Sequence, residues 1–206
     1  MAAVGPRRGK RFVVAVSGAS GIALALDLIR TAANREEIEA LHVVVSNGAL
    51  RVGATELDPP ATTPAALIKQ CGLGDREAAK IVLHPNADIG ASIASGSYPV
   101  DGMAVVPCSA GTLGAIANGI SRNLVQRVAD LTLKQRRPLI LALRETPLSL
   151  IHAENIVRVT RAGAIVMPPV PAFYAGQSWE AYIAHFTVRV LDLLGVELDG
   201  AGLRWE

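Results

Sequence analysis

The chain has 206 residues, 50% of them hydrophobic, with 20 lysines and arginines against 18 aspartates and glutamates and a formal net charge of +2. That is ample apolar material for one α/β core, and the charge is too balanced for the electrostatic footprint that holds proteins to nucleic acid or anionic membranes. No stretch approaches the roughly 20 apolar residues of a spanning helix, and Cys71 and Cys108 sit in no CxxC or metal-ligand spacing, so a soluble protein of the reducing cytoplasm is expected.

The basic run Arg7-Arg8-Gly9-Lys10-Arg11 reads as a solvated tail ahead of the first strand. That strand, 12–17, runs directly into Ser17-Gly18-Ala19-Ser20-Gly21 and a helix over 21–33. Glycines allow a tight turn and close approach, the helix N-terminus favours an anion, and Ser20 is a candidate N-cap. A phosphorylated cofactor is therefore expected there. The second strand, 41–46, ends in Ser46-Asn47 rather than in the carboxylate that would receive an NAD ribose. No GxxxxGK[ST] sequence is present either, so a mononucleotide fits best.

The prolines between Thr55 and Pro64 mark an exposed loop, followed by a helix over 65–71 and a strand over 80–84. Strand 102–107 delivers Pro107-Cys108-Ser109-Ala110-Gly111-Thr112 to the carboxyl edge, a second ligand loop in which Cys108 reads as a packing residue rather than a nucleophile. Helices follow over 112–119 and 123–134, the second with Arg127 and Lys134 two turns apart on one face. Strand 138–143 ends in Arg144-Glu145-Thr146-Pro147, either a surface ion pair or a cation and carboxylate beside a ligand. A helix over 148–162, a strand over 164–167, the stiff Pro168-Pro169-Val170-Pro171 with Phe173-Tyr174, and a helix over 179–195 carrying Arg189 complete the pattern. The four histidines show no metal-binding spacing. Alternating strands and helices predict a single-domain, Rossmann-like (flavodoxin-like), three-layer doubly wound parallel sheet over 11–196, with tails at 1–10 and 197–206.

Taken together, "SGASG" at 17–21, "VVVSNGA" at 43–49, "ASGSYPVDGMAVVPCSAGTLGAIANGIS" at 94–121, "NLVQRVADLTLKQRRPLILALRETPLSLIHAENI" at 123–156 and "GAIVMPPVPAFY" at 163–174 resemble the UbiX-like flavin prenyltransferases. The resemblance implies an enzyme that alkylates reduced FMN with dimethylallyl phosphate, without a metal, and gives prenylated FMN to a UbiD-like decarboxylase. It implies FMN contacts from Gly18, Ala19, Ser20, Ser46, Ser109, Ala110, Gly111, Thr112 and Arg144. The prenyl phosphate would be held by Lys134, Arg144, Glu145, Tyr174 and Arg189, with Ser20, Glu145 and Lys134 in catalytic roles. It also implies a dodecamer in which Glu56, Arg127 and Lys134 act across an interface, and Trp205 resembles the family's C-terminal aromatic. The chain departs from the family around 57–87 and in the short turn Ala175-Gly176-Gln177-Ser178. Two other readings are an FMN-binding accessory or carrier subunit of a phenolic acid decarboxylase, and a cysteine-decarboxylating flavoprotein, whose PxMNxxMW pattern is not found here.

Overall fold

The computed structural model describes residues 9–175 and 178–198. In chain order the elements are β1 (Lys10–Val16), α1 (Ile22–Ala33), β2 (Ile38–Val45), α2 (Asn47–Glu56), α3 (Pro64–Lys69), α4 (Asp75–Ala78), β3 (Ile81–Pro85), β4 (Gly102–Cys108), α5 (Ala110–Ala117), α6 (Leu124–Lys134), β5 (Leu139–Leu143), α7 (Leu150–Arg161), β6 (Ile165–Val166) and α8 (Trp179–Leu193). Short 3₁₀ turns lie at Ser92–Ala94 and Phe173–Ala175.

The strands form one all-parallel sheet in the order β3-β2-β1-β4-β5-β6, the doubly wound arrangement expected from the alternating pattern. Strand β1 is central, with Val14 opposite Val43 of β2 on one side and Ala104 of β4 on the other. Side chains alternate between two cores, as a strand's pleat requires. Phe12, Val14 and Val16 pack on the α1 and α8 side, while Val13 and Ala15 face the side that holds Leu113, Leu124 and Val128. Both faces of the central strands are thus dry, which accounts for their continuous apolar runs.

The helices run antiparallel to the strands, and this decides which residues reach the ligand edge. Helix α6 starts at the carboxyl edge, where the Leu124 N–H donates to the Asn86 carbonyl just beyond β3. It ends at the amino edge, where Arg137 donates to the carbonyls of Gly96 and Tyr98 ahead of β4. Helix α8 likewise ends at the amino edge, with the Leu194 side chain against Gly102 at the start of β4.

Helices α2 and α4 were not expected from the sequence. Helix α2 is poor in apolar residues and carries Gly48 and Gly53, so its intrinsic signal is weak. It forms because Ser46 caps it, accepting from the Ala49 N–H at 3.1 Å, and because Gly53 lets its backbone close on the Ala61 carbonyl.

Candidate active site

The site grows from the loops that leave β1, β2, β4 and β5 at the carboxyl edge, at the switch point between β1 and β4 where doubly wound folds bind ligands. These loops are stitched together. Buried Ser17 donates its hydroxyl to the Pro107 carbonyl at 2.9 Å and accepts from the Ser109 N–H at 2.8 Å. The Ser46 N–H reaches the Val16 carbonyl, and the Arg144 N–H reaches that of Cys108. Gly18 and Gly48 meet back to back: a Cβ on Gly18 would lie 2.9 Å from the Gly48 Cα. Only side-chain-free backbone permits so close an approach.

Two helix N-termini open onto this floor. Ser46 caps α2 and Ser109 caps α5, where its hydroxyl accepts from the Thr112 N–H and donates to the Thr112 hydroxyl. First-turn N–H groups have no acceptor within their own helix, so the starts of both helices favour an anion. A Cβ on Gly111 would meet nothing within 4 Å, so α5 begins against open space. The donor set and the bare backbone suit a phosphorylated mononucleotide.

Helix α1 behaves differently, which corrects the reading of Ser20 as its cap. Gly21 occupies the cap position with a left-handed φ of 107°, and no side chain of the loop caps the helix. The cap comes from the far end of α2: the Glu56 carboxylate accepts from the Gly21 N–H at 3.0 and 3.1 Å and from the Ile22 N–H at 3.0 Å. The anion at this N-terminus is the protein's own. Ser20 is left with a half-buried hydroxyl beside the floor.

Arg144 and Glu145 follow β5 with exposed side chains. Among the described residues neither takes part in an ion pair, so the surface-pair alternative fails and both charges face the edge unpartnered by each other. The Glu145 carboxylate accepts from the Thr146 N–H at 3.1 Å. Cys108 is fully buried, and burial pushes its thiol up to about 12, which makes it a packing residue as expected.

The remaining expected site residues stand on other elements. Lys134 ends α6 at the amino edge, on the opposite side of the sheet from Arg144. Arg127, in the first turns of α6, faces Asp130 at 3.7 Å. Tyr174 follows the proline segment and stands edge-on to His185 of α8, with ring centroids 5.6 Å apart and its oxygen 3.5 Å from the imidazole Nε2. Arg189 lies one turn beyond His185 and pairs with Asp192 at 3.5 Å. Trp205, like Arg7 and Arg8, lies outside the described residues. Sequence reasoning passed over His185, whose signal was its spacing of four residues from Arg189 on a helix.

Residues 3–189 match the flavoprotein family. Flavin prenyltransferase UbiX of Deinococcus radiodurans is 42% identical over 95% of this chain and 93% of its own. Flavin prenyltransferase LpdB of Lactiplantibacillus plantarum is 39% identical over 96% and 98%. The chain belongs to the UbiX-like flavin prenyltransferases. Solved members of that family share its architecture. AnUbiX (PadA1), crystallised with FMN and dimethylallyl pyrophosphate, is 40% identical with a TM-score of 0.83, over 97% of this chain and 98% of that one. A dodecameric FMN-dependent UbiX-like decarboxylase from Escherichia coli O157:H7 is 34% identical with a TM-score of 0.81, over 95% and 99%. The cysteine decarboxylase TvaF, at 16% identity and a TM-score of 0.58 over 90% of this chain and 98% of its own, shares the fold alone.

Proposed function

We propose that this protein transfers a dimethylallyl group from dimethylallyl phosphate to reduced FMN and hands the prenylated FMN to a UbiD-like decarboxylase. The observation that carries this reading is the convergence of two serine-capped helix N-termini with Arg144 and Glu145 at one sheet edge. The 40% identical relative bound to FMN and dimethylallyl pyrophosphate supports it.

The FMN phosphate would rest on the N–H groups that open α2 and α5, with Ser46, Ser109 and Thr112 supplying hydroxyls and Ala110 and Gly111 supplying backbone. Gly18 and Ala19 would pass under the flavin without obstruction. Reduced flavin, when bound, supplies the nucleophilic ring atoms that the allyl group alkylates. Arg144, which directly follows β5, would steady both anionic groups. As the allylic C–O bond breaks, negative charge grows on the departing phosphate, and Arg144, Lys134 and Arg189 stabilise it. Glu145, aided by the Ser20 hydroxyl, would move a proton between the flavin and the departing phosphate. Tyr174 would cover the allyl group and help to exclude water.

Because Lys134 leaves the sheet at the amino edge, its part in the reaction requires a second subunit to bring it to the carboxyl edge of the first. Large apolar side chains left open by the isolated chain support such assembly: Leu150 is 75%, Ile151 68% and Phe173 88% exposed. A dodecamer with sites between subunits, in which Arg127, Lys134 and Glu56 line the boundaries, is the arrangement we favour. Its two free, buried cysteines support a location in the reducing cytoplasm. No described helix is long and apolar enough to cross a membrane.

The experiment is anaerobic incubation of the purified protein with reduced FMN and dimethylallyl phosphate. A flavin heavier by one prenyl group is expected in the mass spectrum, and folded protein that yields only FMN would overturn the reading.

A further inference from the structure

We propose that His185 is a positioning residue of the prenyl phosphate subsite, holding the Tyr174 hydroxyl in place one helical turn from Arg189. The inference rests on the reading above that Tyr174 and Arg189 hold that phosphate. His185 is buried at 9% exposure on α8, yet its imidazole edge is not simply packed away. Its Nε2 lies 3.5 Å from the Tyr174 oxygen, and the two rings stand at 86° with centroids 5.6 Å apart. Four residues on, Arg189 projects from the same helix face. His185 therefore touches Tyr174 and also sits beside Arg189.

The chemistry needs such a residue. Tyr174 reaches α8 at the end of the proline segment and is 61% exposed, so its hydroxyl direction depends on the polar groups it meets. A phenol has one proton to donate and must point it at the phosphate oxygen to be useful. Burial, and then the charge of Arg189, push the His185 pKa down from its ordinary value, so the ring is held neutral. A neutral imidazole can present Nε2–H to the Tyr174 oxygen, and that contact turns the hydroxyl proton away from the ring, toward the anion. At 3.5 Å the contact is at the long limit of a hydrogen bond, so in the free chain the two groups are within reach and the phosphate completes the alignment.

The test compares His185→Phe, which keeps an aromatic ring of similar size without nitrogen, with His185→Gln, which keeps a polar tip, in the assembled enzyme. One lost hydrogen bond to an anion-binding hydroxyl corresponds to roughly a five- to tenfold rise in KM for dimethylallyl phosphate. His185→Phe should show that rise with kcat and FMN affinity little changed, and His185→Gln should recover most of it. Tyr174→Phe should raise KM similarly, and adding His185→Phe to it should make nothing worse. If Tyr174→Phe raises KM while His185→Phe does not, or if the two effects multiply, the positioning role is wrong although the subsite stands. If Tyr174→Phe leaves KM unchanged, the subsite reading fails and this inference with it. Should His185→Phe not fold, the same comparison is made with His185→Gln against His185→Leu.

Discussion

Replacing Glu56 with alanine removes an anion that the protein has supplied to its own helix. In the native chain one carboxylate receives the Gly21 and Ile22 N–H groups across 3.0–3.1 Å, and α1 has neither a side-chain cap nor an acidic residue in its first turn. Glu56 is exposed, so water can take over part of what it does. The upper part of the range for a lost N-cap is therefore not reached, and about 1 kcal/mol is expected. For a chain of this size that corresponds to a fall in Tm of roughly 2–4 °C. The bared N-terminus then becomes an ordinary anion site, so millimolar inorganic phosphate should raise the Tm of Glu56→Ala more than that of the native protein. Differential scanning calorimetry with and without phosphate reads both effects. Ser46→Ala, which uncaps α2 instead, is the control and should lose stability without gaining the α1 site. A Glu56→Ala protein that melts with the native one, and responds to phosphate as the native one does, refutes the assignment of Glu56 as the α1 cap.

Four further outcomes are expected. Glu145→Gln should retain FMN by fluorescence titration but lose prenylation by roughly 100-fold or more, the range for a displaced acid–base group; unchanged product formation would remove Glu145 from proton transfer and favour a carrier role. Ser17→Ala orphans the buried Pro107 carbonyl and the half-buried Ser109 N–H, and should cost roughly 1–3 kcal/mol in denaturant titration and weaken FMN binding. His42, 3% exposed between His84 and Tyr98, has its pKa pushed from 6.5 to about 4, mainly by burial and then by His84 and Arg11. Its folded pKa is depressed, so the unfolded chain binds the proton more readily, and stability present above 6.5 is lost as the pH falls from there toward about 4. That loss amounts to at most about 3 kcal/mol, and His42→Leu should flatten this acid limb in pH-resolved unfolding. Neither Cys71 nor Cys108 should react with a thiol reagent until the protein unfolds, because burial holds both thiols up at about 12; rapid labelling of native protein would contradict this.

The strands were legible because a sheet covered on both sides needs unbroken apolar runs rich in valine, and Phe12 to Val16 and Met103 to Val106 have them. Legibility failed where tertiary contact overrides local preference. Helix α2 rests on one serine cap and on glycines chosen for close approach, not on helix propensity. Ser20 has the right chemistry for a cap, but the positive φ at Gly21 moves the helix start one residue on and turns its N–H groups toward Glu56, 35 residues away in sequence. The floor of the site was readable, since Ser46, Ser109 and Arg144 each directly follow a strand. His185 was not, because its role depends on where the proline segment sets down Tyr174.

The separation of Lys134 from Arg144 has a genetic corollary. If no single chain holds both halves of a working centre, two defective copies can repair one another. Lys134→Ala subunits and Arg144→Ala subunits, each inert alone, would rebuild a share of intact centres when co-assembled, each lending the half that the other lacks. Damage at these positions would then behave as recessive in a mixed population of chains, and enzyme diluted below its assembly threshold would fall silent while every chain remained folded.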